Sequence, residues 1–350
     1  MKKTSMKFVS IILAFSLIFG SSAVTGYAAD VTKSLENFGL SIVETIFTTL
    51  VGAINFIVPD SPKFVQVKDR VVENFYEGTE TWEKEAKADA QWKLGHAKAS
   101  LVPDDWQEKD YYLGGFIDPN NGMVNKVEEI IDDMQVRVIA VDDGSGRGVA
   151  LFANIDCIGF SNGDIKEIRK RVEAMDLGVE FNSINVSSTH THSCIDTQGL
   201  WTNLFPKLFK NLVLSYIPFI EKERGADAEF MEFVYDTAAA AMKKAVEAMV
   251  PGTLTYAVKE INPEYFNNKN RSQSTSLIDE LARFIFTPDN KSIDPTMIVN
   301  IAAHPDVAGL PTSSNSGREI TGDYVYYTIE KSEWVPYTTP DGIETSRRKN

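Results

Sequence analysis

The sequence is poor in histidine and cysteine, with four of the first and two of the second in 350 residues. Two thiols, Cys157 and Cys194, exclude a disulfide framework and leave room for at most one bond. Basic residues are also scarce: 35 stand against 49 acidic ones, for a formal charge of −14. That deficit removes the basic footprint that phosphate backbones require, so no nucleic-acid partner is expected. The chain has no internal repeat and no low-complexity tract. What remains is ordinary for a soluble globular protein, with 43% apolar and 24% charged residues. The length suffices for one large domain or two modest ones.

The N-terminus reads as a secretory signal peptide over residues 1–28. MKKTSMK is basic, FVSIILAFSLIFG is apolar, and SSAVTGYAAD is rich in small residues. Cleavage near Ala28 would export the chain to the cell surface or beyond. Residues 29–90 are expected to hold an amphipathic helix and a charged helical linker. In 38–58, Ile42, Val43, Ile46, Phe47, Leu50, Val51 and Ile54 recur at helical spacing. Two readings of this helix stay open: it packs on the domain, or it touches a membrane surface. A bilayer span is disfavoured by Glu44, and Pro59 and Pro62 end the helix.

From Gln91 the texture becomes alternating strands and helices. WKLGHAKASLVP predicts a strand that enters a loop. MQVRVIAV (134–141) and GVALFANIDC (148–157) flank DDGSGRG, a hairpin signal. Residues 162–175 predict a helix capped by Asn162, and VEFNSINVSS (179–188) the next strand. Alanine-rich 226–249 predicts a helix, GTLTYAVKEI a strand, and MIVNIAA (297–303) a buried strand ending at His304. The fold class expected is α/β (mixed α+β), with a central mixed sheet and flanking helices.

Chemistry concentrates in SSTHTHSCIDTQGLW, residues 187–201. On an extended backbone, residues two apart point the same way, so His190 and His192 can face one site at the strand's end. Imidazole is the common zinc ligand, and catalytic zinc needs about three protein ligands and an open position. His304 also leaves a strand, just before Pro305. If the two strands are neighbours in one sheet, three of the four histidines converge. His96 lies inside a strand and reads as a surface or satisfied histidine. Cys194 is either a thiol at the site or a small residue in a tight turn. Asn154 and Asp156 either orient a metal-bound histidine or begin a turn. Arg271, in NNKNRSQS, either holds an oxyanion or polar head or is a loop residue.

STHTHS followed by DTQGLW resembles the signature of the neutral, or alkaline non-lysosomal, ceramidases. The likeness extends to GHAKASLVP and the later GGF, to VALFANIDCIGF, to FNNKNRS, to NIAAHPDVAGL and to NSGREITGDYVYY. In this order the segments cover roughly residues 91–330. The resemblance implies a zinc-dependent amidase that splits ceramide, or a related N-acyl lipid, into sphingosine and a fatty acid. It implies one zinc per chain, with His190 and His304 as ligands. It places His192 beside the metal's water, and Arg271 at the developing charge or the substrate's head.

Two departures accompany the resemblance. Cys194 stands where the family commonly has glycine, and is expected to narrow the mouth of the site. The family also supplies a serine, a glutamate and a tyrosine from later segments that no position here matches. Residues 91–350 are therefore expected to be the N-terminal part of a larger zinc-hydrolase domain, with an incomplete zinc shell. Residues 331–350 form a divergent tail, in which Pro336, Pro340 and Gly342 interrupt a helix begun at Tyr324. Two other functions remain open: a metal-dependent hydrolase of other N-acyl amides or cell-envelope material, and a non-catalytic exported lipid- or surface-binding protein.

Overall fold

The computed structural model describes residues 87–116, 124–202, 224–266, 278–307, 316–332, 334–338 and 344–348, together with 45, 49, 207, 210 and 211. By its internal contacts the chain forms two compact units, Met1–Glu73 and Asn74–Asn350. In the first, Thr45 and Thr49 are helical and exposed, and the Thr49 hydroxyl donates to the Thr45 carbonyl at 2.6 Å. The remainder of the expected 38–58 helix, the signal peptide and Arg271 lie outside the described residues. Among the described residues, no helix is long and apolar enough to cross a membrane.

The second unit is built on β1 (Trp92–Ser100), β2 (Glu129–Ile130), β3 (Gln135–Asp142), β4 (Val149–Ile155), α1 (Asn162–Glu173) and β5 (Phe181–Ser188). Then follow α2 (Ala228–Glu247), β6 (Val250–Glu260), β7 (Glu280–Pro288), β8 (Thr296–Ile301), β9 (Glu319–Ile320), α3 (Asp323–Ser332), β10 (Trp334–Thr338) and β11 (Glu344–Arg348). Seven strands form one mixed sheet in the order β5-β4-β3-β1-β6-β7-β8. β4 and β5 pair in parallel, and α1 makes the crossover that parallel neighbours need. The other pairings in this sheet are antiparallel. The tail folds as the β10–β11 pair.

Period-two alternation divides the sheet into two faces. Val136, Val138, Ala140, Leu151, Ala153, Ile155 and Ile184 are buried and belong to the main core with Ile168 and Val172 of α1 and Phe230, Val234, Ala238 and Met242 of α2. Each such large side chain contributes about 1.5–3 kcal/mol by burial. Gly95 permits the tightest approach: a Cβ there would lie 2.1 Å from the Ala245 carbonyl oxygen of α2. Helix α1 is capped by Ser161, one residue before the Asn162 expected, because Ser161 and Asp164 close a reciprocal capping box. Asp164 also accepts from Arg224 and Tyr235, which ties the helix to α2.

The other face curves around a cavity of about 1800 Å³. Ile139 and Phe152 line one wall, Leu254, Phe284 and Ile298 another, and α3 contributes Val325 and Ile329. The 297–303 run is not buried as expected. β8 is an edge strand, and Met297 and Val299 are exposed.

Candidate metal centre

The three histidines expected at strand exits do come together, though not by the expected route. β5 and β8 are the opposite edges of the sheet, not neighbours. Six strand spacings of about 4.8 Å would place flat edges nearly 30 Å apart. Yet the His190 and His304 ring centroids are 4.9 Å apart. The loops after the two strands span part of that gap, and because β1 and β6 pair over only three residues, Trp92–Leu94, the β6–β8 half is not held flat against the rest. Residues of both edge strands accordingly line the same cavity.

The pairing of His190 with His192 also differs from simple alternation. Thr189 continues the β4–β5 ladder through its N–H to the Ile155 carbonyl at 2.9 Å. His190 then takes a left-handed backbone with φ +65°, which turns the chain out of the strand. Its Nδ1 lies 2.6 Å from the Ile158 carbonyl oxygen. A carbonyl can only accept, so Nδ1 carries the proton and Nε2 keeps a free lone pair. This is the arrangement that orients metal-ligating imidazoles.

His192 sits deeper than its two neighbours. Phe116 packs on its ring at a centroid distance of 4.6 Å. Gly115, with φ +124°, leaves room for it; a Cβ there would be 2.4 Å from the ring. The His192 Nε2 is 3.1 Å from the His304 Nε2, and one ligand atom from each of the three rings falls within 4.8 Å of the others. A tetrahedral zinc with Zn–N bonds of about 2.05 Å has ligand nitrogens about 3.3 Å apart. The His192–His304 separation matches that spacing, and three imidazole nitrogens grouped within 4.8 Å are a donor set of the type that zinc takes, so the residues fit the group. The buried His192 Nδ1 faces the Gly115 backbone, where the His190 Nδ1 faces the Ile158 carbonyl.

Burial, followed by the proximity of His304 and His190, lowers the His192 pKa from its ordinary 6.5 to about 4. The ring is thus neutral at physiological pH. The folded chain holds fewer protons at this site than the unfolded chain between about pH 4 and 6.5, so stability must fall as pH drops through that window. In chelator-stripped protein, the melting temperature should fall between pH 7 and 4.5 by about 5 °C more than in His192→Gln. Equal falls would show that His192 is not held neutral.

The remaining candidates divide clearly. His96 is exposed on β1 and lies outside the cluster. Asn154 donates to the Ser187 hydroxyl at 3.1 Å. Asp156 is fully buried and receives both guanidinium nitrogens of Arg137 at 2.8 Å. Asp156 bonds the Gln135 N–H as well. The Ile158 carbonyl, not Asn154 or Asp156, is what orients a histidine. Cys157 and Cys194 are free and buried. Burial pushes the Cys194 thiol well above its ordinary pKa, and its Sγ faces the Thr321 carbonyl at 3.5 Å. It is packing beneath the loop and does not narrow the site's mouth.

No protein-family model matches the chain, and no curated protein matches it. Solved structures do. A ceramidase complexed with C2 aligns at 17% identity and a TM-score of 0.48, over 70% of this chain and 36% of its own. The neutral ceramidase from Pseudomonas aeruginosa aligns at 17% identity and a TM-score of 0.47, over the same shares. The chain thus spans about a third of the length of these structures.

Proposed function

We propose that this chain is an exported zinc-dependent amidase of ceramidase type, acting on the N-acyl bond of ceramide or a closely related lipid. The observation that carries the reading is the convergence of His190, His192 and His304, three of only four histidines in 350 residues. The order of family-like segments around them supports the same conclusion. His190 and His304 are the ligands. Bound zinc supplies a Lewis acid for the amide carbonyl and an acidified water.

The chain's own residues have separable tasks. The Ile158 carbonyl fixes the tautomer of His190. His192, neutral because it is buried, accepts or hands on a proton at Nε2 and can serve the departing nitrogen of the amide. Gly115 and Phe116 hold that ring in place. Arg271 is assigned to the oxyanion or the polar head by the FNNKNRS resemblance. The cavity adjoins the histidine loops at Thr189 and Ala303, although none of the three imidazoles lines it, and its apolar wall residues, among them Phe152, Leu254 and Phe284, are the surface that a lipid chain would use.

The test is release of fatty acid from a fluorescent N-acylsphingosine by the full chain, with and without zinc. Turnover should require zinc. His192→Gln should retain the ion while kcat falls 10²–10⁴-fold, roughly the contribution of one proton-transferring group. If His192→Gln loses zinc as fully as a ligand variant, His192 is itself a ligand. If zinc binds but no N-acyl lipid is hydrolysed while vesicle association persists, the chain is an exported lipid-binding protein.

A further inference from the structure

The segment 321–324 touches both loops that carry the imidazoles. On the His190–His192 side, the Thr321 N–H donates to the Ser193 carbonyl at 2.9 Å, and the Cys194 thiol faces the Thr321 carbonyl. On the His304 side, the Tyr324 hydroxyl donates to the Ala303 carbonyl at 2.7 Å. The Val307 N–H donates to the Asp323 carboxylate at 2.9 Å. These last two bonds bracket His304, one residue before it and three after.

The bracket is itself held firmly. Asp132 accepts from the Thr321 hydroxyl and the Gly322 N–H, both at 2.6 Å. The Thr321 hydroxyl in turn accepts from the Asp323 N–H at 3.0 Å. Asp323 is fully buried and adopts φ +57°, a conformation that costs a non-glycine residue about 1 kcal/mol and persists where its surroundings enforce it. By contrast, the His304 loop has little regular structure of its own. The β7–β8 ladder ends at Ile301, and residues 302–307 belong to no helix or strand.

We propose that Tyr324 and Asp323 are positioning residues, which hold His304 in register with the His190–His192 loop and so set the spacing of the metal centre. The functional meaning rests on the zinc reading above, but the claim about ring placement does not need the ion. Burial and the neighbouring Asp323 raise the Tyr324 pKa, so its hydroxyl keeps the proton that it donates. Through these contacts the first turn of α3 joins the imidazoles to the helix that also lines the cavity.

Tyr324→Phe keeps the ring and removes the bond to Ala303. With four histidines in the chain, their ring resonances can be followed by NMR in metal-free protein. Those of His304 and of His192, which it touches, should move, while those of His96 stay in place. Zinc affinity should fall about tenfold, the scale of lost outer-sphere support, with the melting temperature nearly unchanged. In the wild type, the Val307 amide should exchange slowly with solvent even though that residue is 72% exposed, because Asp323 holds it. Unmoved His304 resonances in Tyr324→Phe, or a freely exchanging Val307 amide, would overturn the proposal. A wild type that takes up no zinc would overturn the metal reading instead, and the ring resonances would still decide the positioning claim.

Discussion

Replacing His304 by alanine is expected to abolish stoichiometric zinc binding while leaving the fold intact. His304 supplies one of three converging imidazoles, and its Nε2 lies 3.1 Å from that of His192. Loss of an outer-sphere partner alone costs about 10–100-fold in metal affinity, so loss of a ligand should exceed about 100-fold. The residue is exposed in the loop after β8, and truncation of an exposed residue changes stability by only about 0.5 kcal/mol. Metal loss and unfolding are therefore separable. Competition titration against a chromophoric chelator, with circular dichroism on the same samples, measures both. His96→Ala, also at an exposed site, should bind zinc as the wild type does. Unchanged zinc affinity in His304→Ala would remove His304 from the site.

The largest effect on stability is expected at Asp156. This carboxylate has a side-chain exposure of 0%, and its partner Arg137 one of 15%. Two bonds of 2.8 Å join them, and the Gln135 N–H adds a third at 3.0 Å. Asp156→Ala would leave the guanidinium in place without its counter-charge, a change that costs about 3–5 kcal/mol. That is a large share of the roughly 5–15 kcal/mol by which a domain is stable. Urea unfolding should show it as a lowered midpoint. The paired change Arg137→Met with Asp156→Leu removes both charges, and should recover much of the loss. If Asp156→Ala is as stable as the wild type, the pair is not buried as described. The consequence reaches the site through the backbone, since Ile158, two residues on, orients His190.

Strands with strict alternation were legible because one face of each is covered by helices. Gln135–Asp142 and Val149–Ile155 bury every second residue along most of their length; the second lies within the run read from the sequence, and the first overruns its run by Asp142. Glu280–Pro288 was missed. Leu281, Phe284 and Ile285 recur at a spacing that suits a helix as well as a strand. MIVNIAA was located but misjudged, because an apolar run reports preference for burial and not whether anything covers it. The helix start was one residue early in the structure because Ser161 and Asn162 are both good caps. Only the spacing of Ser161 to Asp164 separates them.

At the site, the identity of the three histidines was legible and their geometry was not. Nothing in the residue types shows that loops from opposite edges of the sheet meet, or that His190 leaves its strand through a left-handed turn. The Ile158 carbonyl and the Gly115 backbone carry no side-chain signal, although GGF marked the right segment. The same holds for the Ala303 carbonyl and Val307 amide, which Tyr324 and Asp323 engage. Backbone partners become visible only once the chain is folded. Cys194 misled for a related reason: proximity to a motif in sequence does not tell whether a side chain lies above or beneath the loop.

The central claim is that His190 and His304 hold one catalytic zinc beside His192, and its most direct test is the metal content of the full chain after zinc loading and exhaustive dialysis. The account predicts one zinc per chain, lost in His190→Ala and His304→Ala and retained in His96→Ala. A wild-type chain that keeps no zinc, or one whose zinc survives loss of both His190 and His304, would contradict it.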